Sequence, residues 1–326
     1  MSTPVGVTFG SLGVLGPRAV VDIARQAEEM GYRSLWTVEA TGTDAFSLLG
    51  AVTAAAPGLE LGTGIVPVQV RTPPLAAMTA ATLQALQPDQ DIWLGVGVSA
   101  PGILRAHGHR ATDRPIAMMR EYVALLRECL SGEAVTFEGD FWSVKRFRLG
   151  VRLGERRPKI VLAALGPQML KLAGEVADGV LLNYIPATHV PASIERVRAG
   201  GDAKIFAYVH AAVGDFERSA RSARKDLFNY AMADGYANMF RAAGFEEEVN
   251  LLRERQAERD RDGAIAAVSD RMVQAIDFIG SEAEVSQFVA EYVKAGVEYP
   301  VVMPLPWGED RRAVTDATMR AAIAAL

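Results

Sequence analysis

The chain has 326 residues, 50% of them hydrophobic and 22% charged, with a formal net charge of −5. That balance offers no clustered basic face for nucleic acid. The single cysteine, Cys129, excludes an intramolecular disulfide and a cysteine-based metal cluster.

One closed α/β barrel with insertions accommodates this length, so one domain over residues 1–326 is expected. Residues 5–9 open as a strand, not as a basic leader followed by an apolar run. No apolar stretch approaches the roughly 18 residues of a membrane span. A cytoplasmic protein without membrane contact is expected.

Short β-rich runs then alternate with amphipathic helical runs, the pattern of parallel βα units. Pro17 suits the first turn of a helix that ends at Gly31, a residue free to adopt the left-handed conformation. Strand two covers 34–38, and Asp44 caps the helix that follows. Strand three covers 59–63, with Pro73 and Pro74 opening a helix to Leu86. Strand four covers 92–96, and a long loop passing His107 precedes a helix over Pro115–Leu130. That helix places Cys129 on an apolar stripe with Tyr122, Leu125 and Leu126, which reads as a buried, inert thiol.

Residues 134–148 break the rhythm as two β-rich runs around Glu138-Gly139-Asp140, a hairpin outside the barrel. Strand five is Lys159–Ala163, strand six Gly179–Leu182 and strand seven 204–212. Residues 216–274 are helical and heavily charged, read as a solvated insertion. A helix over 281–295 and strand eight over 299–303 complete a (β/α)8 TIM barrel with a β-hairpin insertion and a helical insertion.

In such a barrel the chemistry sits just beyond the strand C-termini. There the loops offer Glu39 after strand two and Gly64, Ile65 and Val66 after strand three, with Gln69 and Arg71 further on. Gly97, Val98, Ser99 and later His107 follow strand four, and Asn183 with Tyr184 follows strand six. Ala164, Leu165, Gly166, Pro167, Gln168 and Met169 follow strand five. Gly166 before Pro167 would leave the N–H groups of Gly166, Gln168 and Met169 free for a phosphate at a helix start. An ordinary βα turn explains these residues equally well.

The glycines of Gly62-Thr63-Gly64 would let a flat ring approach the backbone. Gly95-Val96-Gly97-Val98-Ser99-Ala100 fits a dinucleotide fingerprint, but no helix is expected to open directly after it, so a barrel strand ending against a ligand explains it as well. His107 and His109 lack a spaced carboxylate partner, and His189 and His210 stand alone, so no metal site is expected.

Several segments in order resemble the luciferase-like monooxygenase superfamily. They include Leu35-Trp36-Thr37-Val38-Glu39, Asp44-Ala45-Phe46, Leu61-Gly62-Thr63-Gly64-Ile65 and Arg71-Thr72-Pro73. Leu94-Gly95-Val96-Gly97, Met119-Arg120-Glu121-Tyr122, Phe137-Glu138-Gly139-Asp140-Phe141-Trp142 and Ala164-Leu165-Gly166-Pro167 continue the match. Within that superfamily the chain is most similar to the coenzyme F420-dependent oxidoreductases.

The resemblance implies a deazaflavin cofactor, with FMN as the alternative. The ring would stack at a cis peptide between Gly64 and Ile65, and the phosphate would sit at 166–169. Hydride would pass to a small organic substrate between the strand-four and strand-seven loops. Oxygen chemistry on reduced FMN and a non-catalytic flavin-binding barrel are the rival readings. Where the sugar-phosphate dehydrogenases of the group carry histidine after the strand-two acid, this chain has Ala40, and their strand-four acid corresponds to Ala100. Sugar-phosphate oxidation by that mechanism is therefore not expected. Glu39 would hold the polar edge of the ring and His107 is the candidate proton donor, while a loop-stabilising hydrogen bond explains each of them equally well. A homodimer is the expected assembly.

Overall fold

A computed structural model describes residues 3–324. Its strands, in chain order, are β1 (Gly6–Thr8), β2 (Ser34–Thr37), β3 (Glu60–Thr63), β4 (Val66–Pro67), β5 (Ile92–Gly97), β6 (Val135–Glu138), β7 (Ser143–Phe147), β8 (Lys159–Ala163), β9 (Gly179–Leu182), β10 (Lys204–Val213), β11 (Asp277–Gly280) and β12 (Tyr299–Pro304). The order β10-β12-β1-β2-β3-β5-β8-β9 closes on itself through parallel pairing of β9 with β10. This is an eight-stranded parallel (β/α)8 barrel, with β6 and β7 as a separate antiparallel hairpin.

Local chemistry sets the helix ends where the sequence predicts. Pro17 opens the helix Pro17–Met30, and Gly31 ends it at φ 90°. The Asp44 carboxylate accepts the Ser47 N–H at the start of Ala45–Ala55. Glu121, on the helix Pro115–Leu130, accepts the backbone N–H groups of Asp140, Phe141 and Trp142 and so docks the hairpin turn. Cys129 is fully buried, and burial pushes its thiol up to about 11, as an inert core residue requires.

Two elements differ from the sequence expectation. A short helix, Pro101–Ala106, opens directly after β5, because Ser99 turns the chain at φ 57° and Pro101 fits its first turn. A ninth parallel partner, β11, follows the helical insertion. It pairs with the second half of β10 beyond the point where β9 ends, His210 facing Asp277. With a single bulky pair, Phe278-Ile279, it is too short to stand out beside a helix.

The insertion itself is not simply solvated. Ala223, Leu227, Phe228, Ala237, Phe240 and Val249 are buried along its inner faces, so its charged residues line mainly the outer ones, Asp226 and Glu248 being exceptions.

The barrel interior is dense at β3. The space beside Gly62 is filled by the Trp36 indole, and that beside Gly64 by the Tyr208 hydroxyl and Leu181. A Cβ on Gly95 would lie 1.8 Å from the Thr63 carbonyl oxygen. The N-terminal end of the barrel is sealed around Glu60. Its carboxylate accepts from Arg33 at 2.7 Å, the Trp93 indole at 2.8 Å and the Tyr299 hydroxyl at 3.1 Å.

Because backbone cannot yield as a side-chain tip does, Gly95→Ala should cost roughly 1–3 kcal/mol or more of unfolding free energy. Gly166→Ala, with nothing within 4 Å of its Cβ, should stay within about 0.5 kcal/mol of the parent. Urea denaturation of both variants measures the contrast.

Candidate active site

The strand C-termini form the open end of the barrel. The Gly64–Ile65 peptide bond is cis, and the chain then resumes pairing as β4 against Val96 and Gly97. Gly64 and Ile65 are half-buried here, while Val66 is buried. Beneath them the Tyr208 hydroxyl donates to the Gly64 carbonyl at 3.1 Å, and the Thr8 hydroxyl lies 3.3 Å from that of Tyr208. The glycines of this stretch are therefore demanded first by neighbouring protein atoms. Of the three, only Gly64 is half-buried and can also approach a ligand.

Glu39 and Arg71 tie the loops after β2 and β4 together. Arg71 donates Nε to Glu39 at 2.6 Å and Nη2 to its other oxygen at 2.7 Å. It also bonds Asp44 and stacks 4.6 Å from the centre of the Phe46 ring. Both Glu39 oxygens accept from Arg71, so the carboxylate is held against the loop after β4. His107 is exposed and bonded through Nε2 to the Ala40 carbonyl, so it braces the loop after β2.

Gly97 is buried and Val98 and Ser99 are half-buried beside Ile65, whose side chain lies 3.2 Å from where a Gly97 Cβ would be. Ala164 is buried and Leu165 half-buried after β8. Gly166 (φ −83°), Pro167 and Gln168 are exposed and Met169 half-buried at the start of the helix Pro167–Val176, which has no side-chain cap. Its first N–H groups are thus available to an anion. In the loop after β4, both amide atoms of Gln69 are buried without a partner, a state that a ligand's polar edge would relieve.

The structure also assembles a buried polar cluster beside Asn183. His210 Nε2 lies 2.9 Å from Asn183 Oδ1, and His210 Nδ1 lies 3.1 Å from Asp277 Oδ1. Asn183 Nδ2 donates to the Tyr236 hydroxyl at 3.1 Å, and the Tyr184 hydroxyl donates to Asp226 at 2.7 Å. Tyr184 is held at φ 53°, a left-handed conformation that costs a non-glycine residue on the order of 1 kcal/mol or more. Its ring packs on Tyr230 with centroids 3.7 Å apart.

Burial dominates the protonation of this cluster. It lowers His210 to about 4, so the imidazole is neutral, and it pushes Asp277 well above the usual carboxylate range. The His210–Asp277 contact is accordingly a hydrogen bond between neutral groups, not an ion pair. Burial, and then the cost of ionising two acids so close as Asp226 and Asp277, raise Asp226 to about 7. Asp277 Oδ2 has no donor aimed at it in the hydrogen-bond network, and a proton shared with the neighbouring Asp226 supplies one.

Of these residues, Asn183 and Tyr184 are visible in sequence as a strand-end loop, whereas His210 looks isolated. Asp226, Tyr230 and Tyr236 lie in a segment whose composition is dominated by charge. The available signal was the apolar spacing Ala220, Ala223, Leu227 and Ala231, which turns Asp226 and Tyr230 toward the barrel. Among the described residues, no cluster of three or more His, Cys, Asp or Glu side chains could hold a metal ion. Among the same described residues, no helix is long and apolar enough to cross a membrane.

A parallel barrel with perturbed acids gathered beyond its strand C-termini has the layout of the barrel enzymes. The sequence profile of the luciferase-like monooxygenases matches residues 4–299, and the chain belongs to that family of oxidoreductases. It is 26% identical over 300 residues to a 5,10-methylenetetrahydromethanopterin reductase of Archaeoglobus fulgidus, spanning 88% of this chain and 89% of that one. The solved coenzyme F420-dependent tetrahydromethanopterin reductase of Methanopyrus kandleri superposes with a TM-score of 0.81 over 98% of both chains at 20% identity. An F420-dependent secondary alcohol dehydrogenase, solved with an F420-acetone adduct, superposes at 0.78 over the full length of both chains, with 18% identity.

The raised Asp226 fixes the sign of a pH effect. A carboxyl whose folded pKa of about 7 exceeds its unfolded value near 3.9 stabilises fully below that unfolded value, and the contribution fades as pH rises through 7. Stability against thermal unfolding should therefore fall between pH 5 and pH 8 by on the order of 2 kcal/mol from this group. Asp226→Asn should flatten that portion of the curve; parallel curves for parent and variant would rule out the shared proton.

Proposed function

We propose that this protein is a coenzyme F420-dependent oxidoreductase that moves a hydride between the deazaflavin and a small organic substrate. The observation that carries the reading is the uncapped helix start at Gly166, with exposed N–H groups facing an open strand end that has a half-buried backbone shelf at Gly64 and Ile65. Similarity to F420-dependent reductases over nearly the whole chain supports it.

In this reading the shelf of Gly64, Ile65 and Val66 receives the flat ring. Gly97, Val98 and Ser99 flank it, and Gln69 and Asn183 offer hydrogen bonds to its polar edges. Ala164 and Leu165 lead to the phosphate site on Gly166, Pro167, Gln168 and Met169, where the helix dipole favours an anion. Bound there, a deazaflavin supplies a ring carbon that gives or takes two electrons as hydride. The chain's own work is to orient that ring and keep water from it. Arg71 holds Glu39 against the loop after β2, which keeps the wall of the pocket in place, and His107 braces the same loop through Ala40.

Fluorescence titration with F420 and with FMN tests the cofactor directly. Micromolar binding of the deazaflavin with none of FMN is expected, and the reverse result would overturn the reading. Gly166→Asp separates the phosphate site from folding. An aspartate cap should stabilise the helix by about a few tenths of a kcal/mol, yet it would occupy the same N–H groups and repel a phosphate. Its dissociation constant for F420 should rise at least tenfold while its melting temperature holds or increases.

A further inference from the structure

The buried cluster ends on a hydroxyl with one role left open. Asp277 is neutral and donates from Oδ1 to His210 Nδ1, so the neutral imidazole carries its proton on Nε2. Nε2–H donates to Asn183 Oδ1, which turns the Asn183 amide nitrogen toward Tyr236. The Tyr236 oxygen therefore already accepts a hydrogen bond, and its own O–H has no acceptor among the described residues.

Tyr236 opens onto the strand ends. It lies in the first turn of the helix Asp234–Ala242, beside Gly235, where a Cβ would be 3.9 Å from Leu165. Asn183, Leu165 and Tyr236 are all half-buried, and they come from three different elements around the ends of β8 and β9. The ring is wedged between Tyr184, Tyr230 and Phe240, with centroids 5.7, 4.9 and 6.2 Å away, so the hydroxyl has little freedom to swing. Burial raises its pKa, so it stays protonated.

We infer that Tyr236 is a substrate-binding residue whose hydroxyl donates a hydrogen bond to the oxygen of a carbonyl substrate, aimed by His210 and Asn183 as positioning residues. The inference rests on the hydride-transfer reading above. In the reductive direction the carbonyl carbon gains the hydride pair from the reduced deazaflavin and the C=O π pair moves onto oxygen. The Tyr236 O–H stabilises that growing charge, and a solvent proton completes the alcohol as the product leaves, balancing the proton that the reduced deazaflavin gives up on oxidation. No ionisation of the tyrosine is required.

The probes are acetone, cyclohexanone and acetophenone labelled with 13C at the carbonyl, added to protein loaded with oxidised F420 and followed by infrared difference spectroscopy. At least one should show a carbonyl band shifted to lower frequency. Tyr236→Phe should abolish the shift with the F420 dissociation constant unchanged. Asn183→Asp, whose side chain can only accept, should abolish it with Tyr236 still present. With reduced F420, Tyr236→Phe should lower kcat for the same ketone roughly 10- to 100-fold with little change in KM. A shift that survives both variants, or no ketone bound to the loaded parent protein, overturns the inference. Failure of the cofactor reading shows separately, as no F420 binding by the parent. The same infrared measurement on the cofactor-free protein then still reports on Tyr236.

Discussion

Everything at the open end of this barrel depends on how tightly its interior closes at β3. The Trp36 indole takes the space beside Gly62, the Tyr208 hydroxyl and Leu181 take that beside Gly64, and Gly95 lets β5 approach the Thr63 carbonyl. These contacts bring β2, β3, β5, β9 and β10 together at one level. Tyr208 then reaches the Gly64 carbonyl from below, so the shelf above it is held by a strand on the far side of the barrel. At the opposite end Glu60 collects three donors and seals the floor. The result is a cylinder with one usable mouth.

At that mouth two kinds of polar arrangement coexist. Glu39, Arg71 and Asp44 form a charged lattice that is only partly shielded from solvent and fastens loops. His210, Asp277 and Asp226 are sequestered, and there desolvation outweighs charge attraction, so the groups hold protons instead of forming salt bridges. The first arrangement shapes the wall of the pocket. The second orients a hydrogen bond at its edge.

The fold was largely legible because parallel strands repeat an apolar run, a turn residue and a capped helix. Pro17, Asp44, Pro73 and Pro167 each mark a helix start where the structure has one. The short helix after Ser99 was hidden because a left-handed serine leaves no trace in residue patterns. The backbone part of the pocket could be located from glycines and strand ends. The polar cluster could not, since His210 and Asp277 are 67 residues apart and meet only through the register of β10 with β11. Glu39 shows the converse limit, for its position was visible and its engagement by Arg71 was not.

The way β11 joins the sheet has a further consequence. The chain leaves β10 at Val213, passes through five helices, and returns to lie against the same strand. The excursion is thus anchored at both ends on one rigid element, with Asp226 near its departure and Asp277 at its return. Helices in the middle, such as Glu246–Ala257 and Arg261–Ala266, touch none of the site residues described above through hydrogen bonds. The outer surface of the excursion can vary with little effect on the two feet at Asp226 and Asp277, whereas Tyr236 lies within the excursion and depends on the bonds of Arg253 to Ala231, Met232 and Asp234.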